Sequence, residues 1–151
     1  MAEYLSNPVQ LVAPSQPVVL TTSIGCNRGF IYHRPESGIL TLRGIVNNPC
    51  SNFARYQATF NANIALPTGA TVGSIAIAIA LDGEPIPTSR AITTPTAVDE
   101  YGNVTSTAII DVPRGCCINL SVENVSEAPT ATTPSPSINV QNANLVVTRI
   151  A

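Results

Sequence analysis

Residues 73–87, GSIAIAIALDGEPIP, constrain the fold more than any other stretch of the chain. Ile75, Ile77, Ile79 and Leu81 recur at every second position, with Ala76, Ala78 and Ala80 between them. Successive side chains of a strand point to opposite faces, so this segment reads as a strand whose two faces are both apolar. A strand with one wet face alternates apolar with polar, and this one does not. Neither face is therefore expected to see water. The branched face suits a sandwich core. The alanine face is flat and suits close approach of a second surface, for which another copy of the chain is the expected source. Asp82-Gly83 supplies the positive φ values of a tight hairpin turn. Pro85 and Pro87 lack the N–H of a ladder, which restricts the returning arm to an edge or a loop.

The same period runs through the rest of the chain. Residues 54–66 carry Tyr56, Ala58, Phe60, Ala62 and Ile64 on one face, opposite Arg55, Gln57, Thr59, Asn61 and Asn63. Alternation also marks residues 18–24, and residues 39–46 set Leu40 and Leu42 against Thr41 and Arg43. Residues 30–32 read as a short strand. Residues 104–112 and 116–124 flank a turn at Pro113-Arg114-Gly115. In the second of these, Cys116 is expected inward with Ile118, Leu120 and Val122, and Cys117 outward or into a subunit contact, with Asn119, Ser121 and Glu123. Residues 138–150 form a terminal strand whose apolar phase switches near Asn142, which places a bulge there. Turns fall at residues 27–29, 34–38, 47–49 and 67–69. Residues 91–102 read as a long loop or irregular strand, and residues 127–137, rich in Pro, Thr and Ser, as an exposed loop. No window of useful length has a helical period. A 151-residue chain of short strands and turns indicates one all-β domain, a sandwich or a barrel.

Residues 1–16 are broken by Asn7-Pro8 and Pro14, with Gln16-Pro17 following at the boundary. They read as an N-terminal arm with at most a short strand at residues 9–12, ahead of a domain spanning residues 17–151. The arm carries Tyr4, Leu5, Val9, Leu11 and Val12, too much apolar surface for an idle tail. The expectation is that it orders by docking on another surface.

Charge excludes several classes. Only 11% of residues are charged, the net charge is −2, and every basic residue is arginine. With no basic run, a nucleic-acid partner is not expected. The longest apolar run is far too short for a membrane-spanning helix, and no secretory leader is legible, so folding in a cytoplasm is the expectation. There the four cysteines, Cys26, Cys50, Cys116 and Cys117, read as buried thiols in preference to a Cys26–Cys50 disulfide. No CxxC pair supports zinc. Asp82 with Glu84, and Asp99 with Glu100, are oxygen ligands that calcium could use, but a turn and a solvated loop already account for them. Paired carboxylates could serve glycoside cleavage, yet the chain has no Trp to line a sugar cleft. His33 is the only histidine. It has no acid or nucleophile at a telling spacing, and reads as a surface hydrogen-bonding residue. Tyr32, Phe53, Tyr56, Phe60 and Tyr101 could form a ligand surface, but Tyr56 and Phe60 follow the buried phase. The sequons at Asn103, Asn119 and Asn124 need no glycosylation reading. No catalytic residue, cofactor or metal is expected.

Three segments carry a resemblance: SGILTLRG (residues 37–44), ALDGEPIP (residues 80–87) and NANLVVTRIA (residues 142–151). The last two resemble the C-terminal domain of collagen-like spore-surface proteins, within the wider tumour necrosis factor-like and complement-like jelly rolls. The first is similar to a segment near the start of stand-alone phage and prophage chains of gut Firmicutes. The resemblance implies an antiparallel two-sheet jelly-roll sandwich assembling as a homotrimer, in which aromatic residues often crowd the threefold axis. Ala76, Ala78, Ala80 and Tyr101 are then the candidate trimer interface. The chain has no Gly-X-Y stalk and no coiled-coil shaft. The expected role is a structural virion protein of a bacteriophage, a capsid decoration or head fibre made in the host cytoplasm and held to the shell by its N-terminal arm. A receptor- or glycan-binding tip of a tail or baseplate is the alternative, then a spore- or cell-surface protein; an enzyme comes last.

Overall fold

The computed structural model describes residues 1–25, 29–45 and 49–151. Its strands are β1 (Ala2–Ser6), β2 (Gln10–Val12), β3 (Thr22–Ile24), β4 (Ile31–His33), β5 (Leu40–Arg43), β6 (Phe53–Ala65), β7 (Ile75–Leu81), β8 (Glu84–Pro85), β9 (Ala91–Thr93), β10 (Gly102–Pro113), β11 (Cys117–Asn124) and β12 (Ile138–Arg149). A single 3-10 turn at Pro87–Ser89 follows β8. The first sheet runs β10-β6-β12-β1-β3, with β2 also on β12. The second runs β4-β5-β11-β7-β8, with β9 also on β7. Every strand pair is antiparallel. The fold is an all-β two-sheet jelly-roll sandwich.

The alternation in β6 sets one side of the core. Tyr56, Ala58, Phe60, Ala62 and Ile64 are all buried, as their phase requires. They meet Leu40 and Leu42 of β5 and Ile75, Ile77 and Ile79 of β7 in one apolar cluster. Each large side chain so placed contributes about 1.5–3 kcal/mol relative to exposure. Tyr56 adds a polar tether, since its hydroxyl donates to the Arg43 carbonyl at 2.6 Å. Asp82 (φ 50°) and Gly83 (φ 85°) turn the β7–β8 hairpin as expected. In β12 the register shifts between Gln141 and Asn144, and Asn142 sits at φ 53°. This is the expected bulge, at a residue type that tolerates the left-handed region.

Four expectations need correction. Residues 1–16 are not an arm: β1 is an interior strand held between β12 and β3. Its own alternation turns Ala2, Tyr4 and Ser6 inward, and Tyr4 is 0% exposed. Val12 of β2 is likewise core, Leu5 is half-buried, and Val9 and Leu11 are exposed. No boundary falls at residue 17 either, because Ser15 and Val18 both donate backbone N–H groups to β11 carbonyls.

The alanine face is the second correction. Ala76, Ala78 and Ala80 are 1%, 1% and 0% exposed in the single chain. Ala76 lies in a concavity also lined by Val72, Arg90, Ile92, Glu127 and Pro129, with Arg90 and Glu127 paired at 2.9 Å. These alanines have no surface left to give to a second copy. Third, Cys50, Cys116 and Cys117 are exposed and not buried; Cys116 does not turn inward because it closes the turn before β11 begins, and its carbonyl accepts the Gly44 N–H. Fourth, His33 is 8% exposed and not a surface residue, because the β4 alternation turns it inward with Ile31. Cys26, and with it the Cys26–Cys50 pairing, lies outside the described residues, as do parts of the turns at 27–29 and 47–49.

Candidate functional site

The outer face of the first sheet is an open surface that the strand alternation builds. The polar phase of β6 looks out along it, flanked by the outward residues of β10, β12, β1 and β3. Register places them in rows across the strands. Asn103 stands beside Asn63 and Gln141; Thr105 beside Asn61, Asn144, Leu5 and Thr22. The next row is Thr107, Thr59, Val146, Glu3 and Ile24, then Ile109, Gln57 and Thr148, then Asp111 and Arg55.

The first two rows hold a ladder of asparagines. The Asn103 amide donates to Asn61 Oδ1 at 2.8 Å and to Asn63 Oδ1 at 3.1 Å. Asn63 donates in turn to Asn142 at 3.4 Å. The bulge at Asn142 aims that side chain along the ladder, and Asn144 donates to the Glu3 carboxylate. Below them the Thr59 and Thr107 hydroxyls meet at 3.2 Å. The charges on these rows are Glu3, engaged by Asn144, and the mutually neutralising Arg55 and Asp111. Ile109 is 55% exposed among them. A broad, nearly uncharged mixture of Thr, Asn and branched apolar groups has the composition of an interface core, where charged residues are depleted. It offers hydrogen bonds and apolar contact.

The residues singled out for chemistry are otherwise engaged. His33 Nε2 lies 2.9 Å from the Ser37 carbonyl, and its ring packs edge-on against Tyr4 with centroids 4.9 Å apart. That contact ties the two sheets and serves packing. Glu100 accepts N–H and O–H from Thr96 and N–H from Ala97; the Thr96 hydroxyl above all holds its carboxyl below the usual range. Asp99 accepts the Thr68 hydroxyl at 2.7 Å, and Asp82 accepts the Asn119 N–H at 2.9 Å. Among the described residues no group of three or more His, Cys, Asp and Glu could hold a metal ion, and no helix is long and apolar enough to cross a membrane. Tyr101 is half exposed ahead of β10 in the first sheet, whereas the alanines lie in the second. The expected interface set is therefore not brought together. The asparagine ladder was the signal missed: Asn61, Asn63, Asn103 and Asn144 all stand on polar phases and read singly as solvated positions.

No family model matches the sequence, and no curated protein matches it. Among solved structures, the chain is similar to the globular domain of the zebrafish complement 1qA protein, with 14% identity, a TM-score of 0.57, and 96% of this chain and 94% of that one covered. It is also similar to Eiger TNF from S. frugiperda, with 9% identity, a TM-score of 0.63, and 100% and 92% covered. At such identities the likeness is one of fold, and it is the jelly-roll fold expected from the sequence.

Proposed function

We propose that this chain is a structural, non-enzymatic building block: a homotrimer of jelly rolls on the exterior of a bacteriophage particle, as a capsid decoration or head fibre. The copies meet through the outer face of the first sheet. The observation that carries the assembly is the contrast between the sheets. The second sheet buries its alanine row within one chain, whereas the first leaves a broad, nearly uncharged face open around Ile109, Val146 and Leu5. The likeness in fold to tumour necrosis factor-like and complement-like domains supports the threefold arrangement that the sequence resemblance implies. The phage setting rests on the similarity of residues 37–44 to phage-encoded chains. Contact with the shell uses the jelly roll itself, because β1 and β2 are part of its first sheet.

Light scattering coupled to size exclusion tests the assembly. Three subunits are expected, and Ile109→Arg is expected to give a folded monomer, because a charge placed in an apolar interface is costly to desolvate. A monomeric wild-type chain overturns it. Gold-labelled antibody on particles released by the parent phage tests the setting. Label over the capsid supports it, label at the tail tip favours the receptor-binding alternative, and unlabelled particles overturn both.

A further inference from the structure

Away from the proposed interface, the second sheet carries a carboxylate that no described residue neutralises. Glu123 of β11 is 7% exposed. One of its oxygens accepts the Ser121 hydroxyl at 3.1 Å. Among the described residues the other has no hydrogen-bond partner, and no cation pairs with the group. A buried charge held by one hydroxyl is costly, and such a group calls for a specific explanation. Among the described residues no fully buried side-chain oxygen or nitrogen lacks a partner, so the bare oxygen keeps an opening to solvent. The opening is a concavity of about 330 Å³ that Glu123 lines with Pro17, Ile39, Asp82, Asn119 and Ser121. Asp82 brings a second carboxylate there, with Oδ1 occupied by the Asn119 N–H and Oδ2 without a hydrogen-bond partner among the described residues. None of the lining residues is basic.

We infer that this concavity is a binding site for an organic cation, the ammonium or guanidinium end of a ligand with a short apolar body. A bare metal ion is a poor match, because the hollow is far larger than an ion and holds two carboxylates only. An N–H-bearing cation supplies both what Glu123 lacks, opposite charge and hydrogen-bond donors. Pro17 and half-exposed Ile39 offer an apolar wall to the methylenes behind the charge. The source is either a basic side chain on a partner protein or a free amine.

The test is a nuclear magnetic resonance titration of the intact assembly with ethylguanidinium, n-butylammonium, a short arginine peptide, neutral n-butanol and calcium chloride. Saturable shifts confined to amides around residues 82 and 119–123 are expected for the cations and not for butanol. Tighter binding of the peptide than of ethylguanidinium identifies a protein partner; equal binding identifies a free amine. Glu123→Gln keeps the shape and is expected to weaken binding about tenfold, the cost of exchanging a charge-assisted bond for a neutral one. Asp82→Asn, which keeps the turn and the bond to Asn119, should weaken it less. Calcium binding in preference to the organic cations, equal binding by Glu123→Gln, or no saturable shift overturns the proposal. None of these outcomes depends on the oligomeric state.

Discussion

Arg55 and Asp111 face each other across the β6–β10 ladder as a two-point pair, Nε to Oδ1 at 2.7 Å and Nη2 to Oδ2 at 2.8 Å. The fork geometry is the strong form of an ion pair. The side chains are 40% and 44% exposed, however, so water and salt screen the attraction. The Arg55 hydrogen bond holds the Asp111 carboxyl below its ordinary range, against a smaller opposing effect of desolvation. A carboxyl with a depressed folded pKa contributes stability above its unfolded pKa and loses it as pH falls through the folded value. Asp111→Asn is thus expected to lower the melting temperature slightly at neutral pH and low salt. The gap to wild type should close on strong acidification or in molar salt. Scanning fluorimetry across pH and salt reads this, and a gap that persists in acid would assign the effect to packing.

The buried alanine row makes a different prediction. Ala80 is 0% exposed and pairs in register with Ser121 on one side and Pro85 on the other. Ala80→Leu adds three carbons where no space exists and is expected to cost about 1–3 kcal/mol through overpacking. Denaturant titration should show the loss, while light scattering of the folded protein shows an unchanged subunit number. A folded variant with altered subunit number would return the alanine row to an interface role.

What could be read from the sequence follows from how far each signal is local. The β6 face, the Asp82-Gly83 turn and the bulge near Asn142 rest on alternation and turn chemistry within a few residues, and all three appear in the structure. The closing of the β7 alanine face depends on residues such as Arg90 and Glu127, whose arrival over Ala76 is a product of topology. Two-sided apolarity implies a cover but does not say whether the cover comes from the same chain. β1 was missed because five residues ending at Asn7-Pro8 are too short for a clear period, although Ala2, Tyr4 and Ser6 keep its phase. The asparagine ladder joins strands far apart in sequence, and single-strand patterns cannot show it. The Glu123 site was hidden for the same reason, since Pro17 reaches it from another segment.

The resemblance segment SGILTLRG has a physical reading that yields a third prediction. Its glycines bracket β5, and both are positions of close approach. A Cβ on Gly38 would meet Pro17 Cβ and the Val18 carbonyl at 2.7 Å. A Cβ on Gly44 would run into the Pro113 carbonyl, which is backbone and cannot swing aside. Gly44 also donates its N–H to Cys116, so moving it away breaks that bond. Gly44→Ala is expected to destabilise by about 2 kcal/mol or more, despite the general preference for alanine where backbone conformation permits. Equilibrium unfolding checks this, and a neutral result would show that the turn at residues 113–116 can shift freely.

Tyr4 makes the last prediction. It is wholly buried and packs edge-on against His33 of β4, so the third residue of β1 reaches across to the other sheet. Tyr4→Ala is expected to cost about 3–5 kcal/mol, the range for deleting a buried aromatic ring. Removal of residues 1–16 should abolish cooperative folding, because it takes β1 from between β12 and β3. A truncated chain that still melts cooperatively would return these residues to the status of an arm. Alkali gives an independent check. Burial pushes the Tyr4 hydroxyl from its ordinary 10.0 up to about 12. The raised folded pKa means its contribution is complete below the unfolded pKa and is lost as pH rises through the folded one. Wild type should therefore lose stability as pH climbs from 10.0 toward 12. Tyr4→Phe keeps the ring and removes the ionisation, so its stability should fall less steeply over that window. Urea midpoints at stepped alkaline pH compare the slopes, and equal slopes in the two proteins would show that Tyr4 is not the group responsible.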